Sequence, residues 1–388
     1  MFLFERLFGV GVYSLILVAV CFYIKGLTDY KKIKRAFIIY ASLLAVMGFF
    51  YVPYKTADLY RIYEYVDLFK SYSFAELWSK EPWNSEIGVS AFYYWTIGKT
   101  GVPELLPAIN TLACYGCIFY IIYNYAQNNN ISGKNIAITL FFYMSIGNYM
   151  FVITGIRCML GISLLAFCFY RENIEGKFSV LHIPLYVIAI FVHTFAAVLV
   201  ALRFIVQIFD SKIGLIKRAA SGALVSIGGI IAIIHFGGYI SRIFEKAESY
   251  LSGDLYSYVW EYVIAFLAVV ISSAALISFI KHKNGIENVL NSWFIYASIL
   301  IAIAACICFE FTIFHRLTTY IIPIVVLPIL MTTLQEAENR NDETMQKKGT
   351  ALIDRPISLS VFIVGISIIT LLVVCSRGSL SSLKFFVL

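Results

Sequence analysis

Seven side chains stand where they could do chemistry. They are Asp58 and Arg61 in Asp58-Leu59-Tyr60-Arg61, Arg157 in Thr154-Gly155-Ile156-Arg157, His193 in the apolar run IFVHTFAAV, and His315, Arg316 and Tyr320 in FHRLTTY. Each lies at or near the end of an apolar run. An ionisable group there is costly unless it is paired, hydrated or bound to a ligand. The planar fork of arginine grips a phosphate through two parallel hydrogen bonds, so two or three arginines on one surface suit a diphosphate. An aspartate or histidine beside them suits removal of a proton from an attacking hydroxyl. Each residue also has a plainer reading. Asp58 can cap a solvated helix, Arg157 can snorkel to lipid headgroups, and His193 can be a packing residue. Arg316 can pair with Glu310, and Tyr320 can be an interfacial tyrosine one turn beyond Arg316.

Between the two bases, the reference pKa of about 6.5 favours His193, because a carboxylate near 4 needs burial to be raised to neutral pH. Asp58 then orients a substrate. No soluble-enzyme signature accompanies these residues: no phosphate-binding glycine loop, no His-Glu-x-x-His, no nucleophile elbow. No carboxylate pair has metal-ligand spacing, and Cys114-x-x-Cys117 lacks a second pair or a nearby histidine. Neither a metal nor a cofactor is expected.

The elements that must position these residues are membrane helices. The chain has 388 residues, 60% of them hydrophobic and 14% charged, with a mean hydropathy of +0.82. A soluble domain carries about 25% charged residues, and this much apolar surface must face lipid. The ~20-residue spanning rule places helices at 7–24, 36–53, 105–125, 136–152, 154–170, 179–193, 194–209, 219–236, 259–280, 291–309, 312–333 and 357–375. The pair at 179–209 could instead be one long or broken helix. The expected fold is all-α: one polytopic membrane domain over 1–388 with about twelve transmembrane helices.

The segments 25–35, 171–178, 210–218, 281–290 and 334–356 are short and basic, with Lys31, Lys32, Lys34, Arg35, Lys212, Lys217, Arg218, Lys283, Lys347 and Lys348 among them. The positive-inside rule puts them in the cytoplasm. It also accounts for the net charge of +7 without nucleic acid. Two longer segments, 54–104 and 237–258, then lie outside. Residues 87–98 read as a re-entrant or interfacial helix, and 334–356 as a flexible polar loop. All seven candidate residues fall on the outer side.

Three stretches resemble the EpsG/Wzy-type polysaccharide polymerases of bacteria. PYKTADLYRIYEYVDLF (53–69) looks like their acidic, tyrosine-rich motif after the second helix. TGIRCMLGISLLAFCFY (154–170), followed by LYVIAIFVHTFAAVLV (185–200), is similar to their Gly-x-Arg helix and the apolar run ending in His. FHRLTTYIIP (314–323) resembles their late Arg-x-x-x-Tyr helix. The pattern departs at Cys158, where Gln is common, and at Tyr54 and Lys55, where many members carry Arg. If that Arg is a substrate ligand, Arg61 or Lys55 must stand in for it.

The resemblance implies a glycosyltransferase of GT-C-like type in the bacterial inner membrane, with its site facing outward. Its donor and acceptor would be undecaprenyl-diphosphate-linked oligosaccharides, joined into O-antigen, capsule or exopolysaccharide. A chain-length regulator is a possible partner. In this reading Arg157 and Arg316 bind the diphosphate, His193 or Asp58 takes the proton, and Arg61, His315 and Tyr320 position substrate. An O-antigen ligase using the same donor, and a flippase or transporter for lipid-linked sugars, remain open on residue types. Reporter fusions test the topology. Fusions after Lys34 and Lys347 should read cytoplasmic, and fusions near Glu76 and Ser249 outside. A cytoplasmic Glu76 would put Asp58 and Arg157 in different compartments and remove the shared outer face.

Overall fold

The structure is a computed structural model that describes residues 2–55, 57–81, 89–147, 149–177, 179–209, 214, 219, 222–223, 259–282, 292–307, 311–347, 359–376 and 383. The elements it describes are helices. In chain order they are α1 (Phe2–Lys25), α2 (Tyr30–Phe49), α3 (Asp58–Phe69), α4 (Phe74–Lys80), α5 (Val89–Thr100), α6 (Leu105–Asn128), α7 (Gly133–Ile146) and α8 (Tyr149–Thr154). Then come α9 (Ile156–Asn173), α10 (His182–Val192), α11 (Thr194–Phe209), α12 (Val259–His282), α13 (Ser292–Cys306) and α14 (Phe311–Ile321), a π-helical turn (Ile322–Val326), α15 (Leu327–Lys347) and α16 (Leu359–Ser376). Among the described residues, Phe8–Lys25, Leu105–Asn128 and Ile313–Asn339 are long and apolar enough to cross a membrane. Five further apolar stretches are shorter, so length and composition do not by themselves reach twelve spans.

Local chemistry explains where the elements depart from the hydropathy reading. The second helix starts at Tyr30 instead of 36, because the Asp29 side chain accepts from the Lys31 N–H at 2.8 Å and the basic residues after it are good helix formers. The span expected over 136–152 is interrupted at Gly147, whose N–H closes the last turn of α7 on Tyr143 O at 2.6 Å. The span over 312–333 carries a π-helical turn containing Pro323, a residue with no N–H to give to the helix ladder. Of the stretch 87–98, the described residues from Val89 lie in α5 (Val89–Thr100). The polar stretch from 334 is helical as far as Lys347 instead of a loop. The 219–236 span outside residues 219 and 222–223, the 237–258 segment, Glu310, and Lys212, Lys217, Arg218, Lys283 and Lys348 lie outside the described residues.

The chain forms two compact units, one of residues 1–61, 104–156 and 322–388, the other of residues 62–103 and 157–321. The first has a tyrosine-rich core. The Tyr149 hydroxyl donates to Leu44 O at 2.7 Å and the Tyr13 hydroxyl to Met144 O at 2.9 Å, while the two rings stack at 5.4 Å. Buried tyrosine is tolerated in such a core when its hydroxyl finds a backbone acceptor. The polar start of α7 is tied to α15. Glu338 accepts from the Ser132 hydroxyl at 2.9 Å, Asn135 Nδ2 at 2.8 Å and Lys134 Nζ at 3.1 Å. Gln335 accepts from the Ser132 N–H at 2.7 Å. These contacts give the hydrophilic residues of α15 a reason to be helical.

In the second unit α3 from Ile62 onward, α4 and α5 form a small aromatic layer. The Trp95 indole donates to Tyr72 O at 2.9 Å, Lys99 Nζ donates to Lys70 O at 2.8 Å, and Phe74 packs on Trp78, Phe92 and Trp95. A Cβ on Gly98 would come within 2.7 Å of Val66 O, so α5 approaches α3 more closely than any other residue type allows. A capping box opens α4, and the Ser73 N–H that binds Glu76 holds that carboxyl below its ordinary pKa.

Candidate functional site

The site is built at one end of α9. Arg157 is the second residue of that helix, and both its charge and that of Arg316 on α14 bear on the Cys158 thiol. Two guanidinium groups therefore lie within electrostatic reach of one cysteine at the same end of the unit. Both are half-buried, as is His315, which precedes Arg316 and feels its charge. Two guanidinium groups brought to one place suit an anion, which each planar fork can grip.

His193 reaches the same end of α9 by a break between two helices. Its backbone is extended (φ −153°, ψ 124°), so α10 stops and α11 starts at once. The break leaves few orphaned backbone groups, which apolar surroundings would penalise. The His193 N–H donates to Ala189 O at 3.1 Å, and its carbonyl accepts from the Ala196 N–H at 2.9 Å. Its ring nitrogen Nδ1 accepts from the Phe195 N–H at 3.2 Å. The ring thus caps α11 as an Asn or Asp would. The Ser90 hydroxyl of α5 donates to Val192 O at 3.5 Å, bringing the aromatic layer against this break.

Gly161 lets α9 meet the break. A Cβ placed there would lie 3.3 Å from Ala189 O, 3.6 Å from Ala196 Cβ and 3.7 Å from His193 Cβ. Arg157 is four residues earlier, hence on the same face and about 6 Å along the axis. Arg157, Arg316 and His193 therefore share one end of the second unit. The N-termini of α9 and α11 lie there too, and their dipoles also favour an anion. The arrangement can hold a diphosphate. Among the described residues no group of three or more His, Cys, Asp or Glu comes together to hold a metal ion.

The other expected residues are placed differently. Asp58 and Arg61 belong to the first unit, where they form an i,i+3 ion pair with side chains 60% and 66% exposed. Such an exposed pair contributes about 0–1 kcal/mol. Tyr320 is fully buried, its hydroxyl 3.2 Å from that of Tyr296, which donates to Leu199 O at 3.1 Å. Its phenol is spent on packing α14 against α13 and α11.

The far end of α9 holds a cluster that sequence reasoning missed. Glu172 accepts from Arg203, from the Tyr186 hydroxyl at 2.9 Å, and pairs with His182 Nδ1 at 3.0 Å. The side chains of Glu172, Arg203 and His182 are 4%, 7% and 3% exposed. The rings of Phe169, Tyr186 and Phe204 lie 5.6–6.0 Å from the guanidinium carbon. Arg203 was visible as a charge inside an apolar run. Its partner, 31 residues earlier, was not. Since α9 meets Ala189, His193 and Ala196 at one end and His182 and Arg203 at the other, it runs antiparallel to α10 and parallel to α11.

An all-helical membrane protein with a cationic, histidine-bearing site at a helix break is the class these features define. The family model described as "EpsG family" matches residues 35–341, and the chain belongs to that family. It is a family of polysaccharide-polymerase-like membrane proteins, which implies lipid-linked sugar substrates. No curated protein and no solved structure matches the chain.

Removing one partner of a buried ion pair leaves the other charge uncompensated and costs about 3–5 kcal/mol. Glu172→Ala should therefore lower the amount of folded protein and its melting temperature in detergent, whereas Asp58→Ala should change stability by about 1 kcal/mol or less. Equal effects of the two substitutions would mean that Glu172 does not carry the α9–α11 packing.

Proposed function

We propose that this protein joins oligosaccharide repeat units carried on undecaprenyl diphosphate into a surface polysaccharide, at the outer face of the bacterial inner membrane. The observation that carries this reading is the convergence of Arg157, Arg316 and His193 at one end of α9 in a chain of the EpsG family. The fold it requires is a single polytopic membrane domain of about twelve spans, with 54–104 and 237–258 outside. The polar stretch 334–356 then faces the cytoplasm.

In the proposed reaction the growing chain, still on its lipid diphosphate, is the donor. A hydroxyl at the non-reducing end of a new lipid-linked unit attacks the anomeric carbon. The bond from that carbon to the diphosphate oxygen breaks, and its electron pair leaves with the lipid diphosphate. Arg157 and Arg316 bind that group and stabilise its developing charge, the strongest help such a site can give to the reaction. The hydroxyl proton passes to His193 or Asp58. His315 and Arg61 position substrate, and Tyr320 acts from one turn behind Arg316 by fixing α14. The aromatic layer of α3 to α5, which meets the break at Val192, forms part of the sugar groove. A chain-length regulator is a fitting partner for such an enzyme.

Deletion of the gene followed by electrophoresis of surface glycan tests the reading. Loss of a polymerase should leave a single repeat unit where a ladder stood. Loss of a ligase would leave no unit on the acceptor while lipid-linked polymer accumulates. Loss of a flippase would trap units on the cytoplasmic leaflet. Either of the last two outcomes would overturn the assignment.

A further inference from the structure

The capping bond at the α10–α11 break fixes more than a backbone. The Phe195 N–H points its hydrogen at His193 Nδ1 with 3.2 Å between the nitrogens. In a neutral imidazole one ring nitrogen carries the proton and the other offers a lone pair. A backbone N–H can only donate, so Nδ1 must be the lone-pair nitrogen, and the proton sits on Nε2. The alternative tautomer would set two N–H groups against each other and strip the cap from α11. A general base at this position needs a lone pair toward the substrate, and the one that His193 has is already occupied by its own chain.

From this geometry we infer that His193 serves the reaction as a hydrogen-bond donor to the diphosphate through Nε2–H, and not as the proton acceptor. The inference rests on the polymerase reading above and deepens it. Three features agree with it. The ring belongs to the same end of α9 as Arg157 and Arg316, where an anion is expected. Nε2–H is a donor without a net charge, so it adds a hydrogen bond beside the arginines without adding charge. Its direction is set in advance, because the capping bond, the extended backbone at His193 and the Gly161 contact together restrict the ring. A donor fixed before charge develops is what stabilises a leaving group most. The acceptor hydroxyl still gives up its proton. Asp58 is the remaining named candidate to take it, and the electron pair of the broken glycosidic bond stays with the diphosphate oxygen.

The test uses the full-length protein in nanodiscs, with its histidine rings labelled with nitrogen-15. His193→Asn assigns the His193 signals among the five histidines of the chain. At neutral pH the proposal requires Nε2 to carry the proton and Nδ1 to appear as an unprotonated, hydrogen-bonded nitrogen. Adding undecaprenyl diphosphate should shift Nε2 and leave Nδ1 nearly in place. Asn and Asp both cap helices, so His193→Asn and His193→Asp should keep protein level and melting temperature. Asn should weaken binding of undecaprenyl diphosphate about tenfold to a hundredfold, the worth of one hydrogen bond to a charged group. Asp, which adds a negative charge, should weaken it further. The acid side of the turnover-pH profile should survive in His193→Asn, since a base other than His193 sets it.

A proton on Nδ1 would overturn the inference. So would loss of the acid limb in His193→Asn with unchanged lipid binding, or a correct tautomer that does not respond to the lipid. If the wild-type protein binds no undecaprenyl diphosphate by an independent assay, the polymerase reading itself fails. That outcome is distinguishable, because the tautomer is read without lipid.

Discussion

Glu172 accepts hydrogen bonds from Arg203 and Tyr186 and pairs with His182 in a place from which water is almost excluded. One carboxylate thereby ties α9, α10 and the far end of α11. Apolar helices in lipid gain little from hydrophobic association, so a polar contact of this kind is what selects one packing from many. The charge of Arg203 cannot reach solvent from its 7% exposed position, and the charge of Glu172 cannot either. Each is tolerable only with the other. With the far end pinned, Gly161 sets the near end, and the helix break at His193 has nowhere else to lie. The chemistry of the site is a consequence of packing fixed about 16 Å away along α9, eleven residues at 1.5 Å each.

The near end is built on the opposite principle. There Arg157 and Arg316 bring two guanidinium groups to one place. Arg157 and Arg316 act on the same cysteine, and the starts of α9 and α11 add partial positive charge. The paired arginines suit the proposed reaction, in which negative charge would grow on a lipid diphosphate as the glycosidic bond breaks. The two ends of α9 thus differ: the far end holds a buried Glu172–Arg203 pair, and the near end is the one proposed to bind substrate.

Much of this could be read from the residues alone, and the reasons for the gaps are physical. Arg157, His193 and Arg316 stood out because ionisable groups at the ends of apolar runs demand a partner or a ligand. For 179–209 two spans or one long or broken helix stayed open, because the cap that makes the break depends on which ring nitrogen meets a backbone N–H, and no residue pattern encodes that. Glu172 was hidden because it sits at the edge of a basic loop, where a carboxylate draws no notice, and its partner is 31 residues away. A substrate role for Tyr320 came from the family resemblance, and its hydroxyl turns to Tyr296. The helical course of 334–347 was missed because low hydropathy was read as a loop. Gln335 and Glu338 find their partners only after α7 is in place.

The central claim is that Arg157 and Arg316 jointly bind one diphosphate. A double-mutant cycle measures it directly, with undecaprenyl diphosphate titrated into the full-length protein and into Arg157→Lys, Arg316→Lys and the double variant. Lysine keeps the charge and loses the planar fork. Each single substitution should weaken binding about tenfold or more, and the double should cost clearly less than the product of the two, because both forks grip one ligand. Unchanged binding in the single variants, or strictly independent losses, would contradict the account.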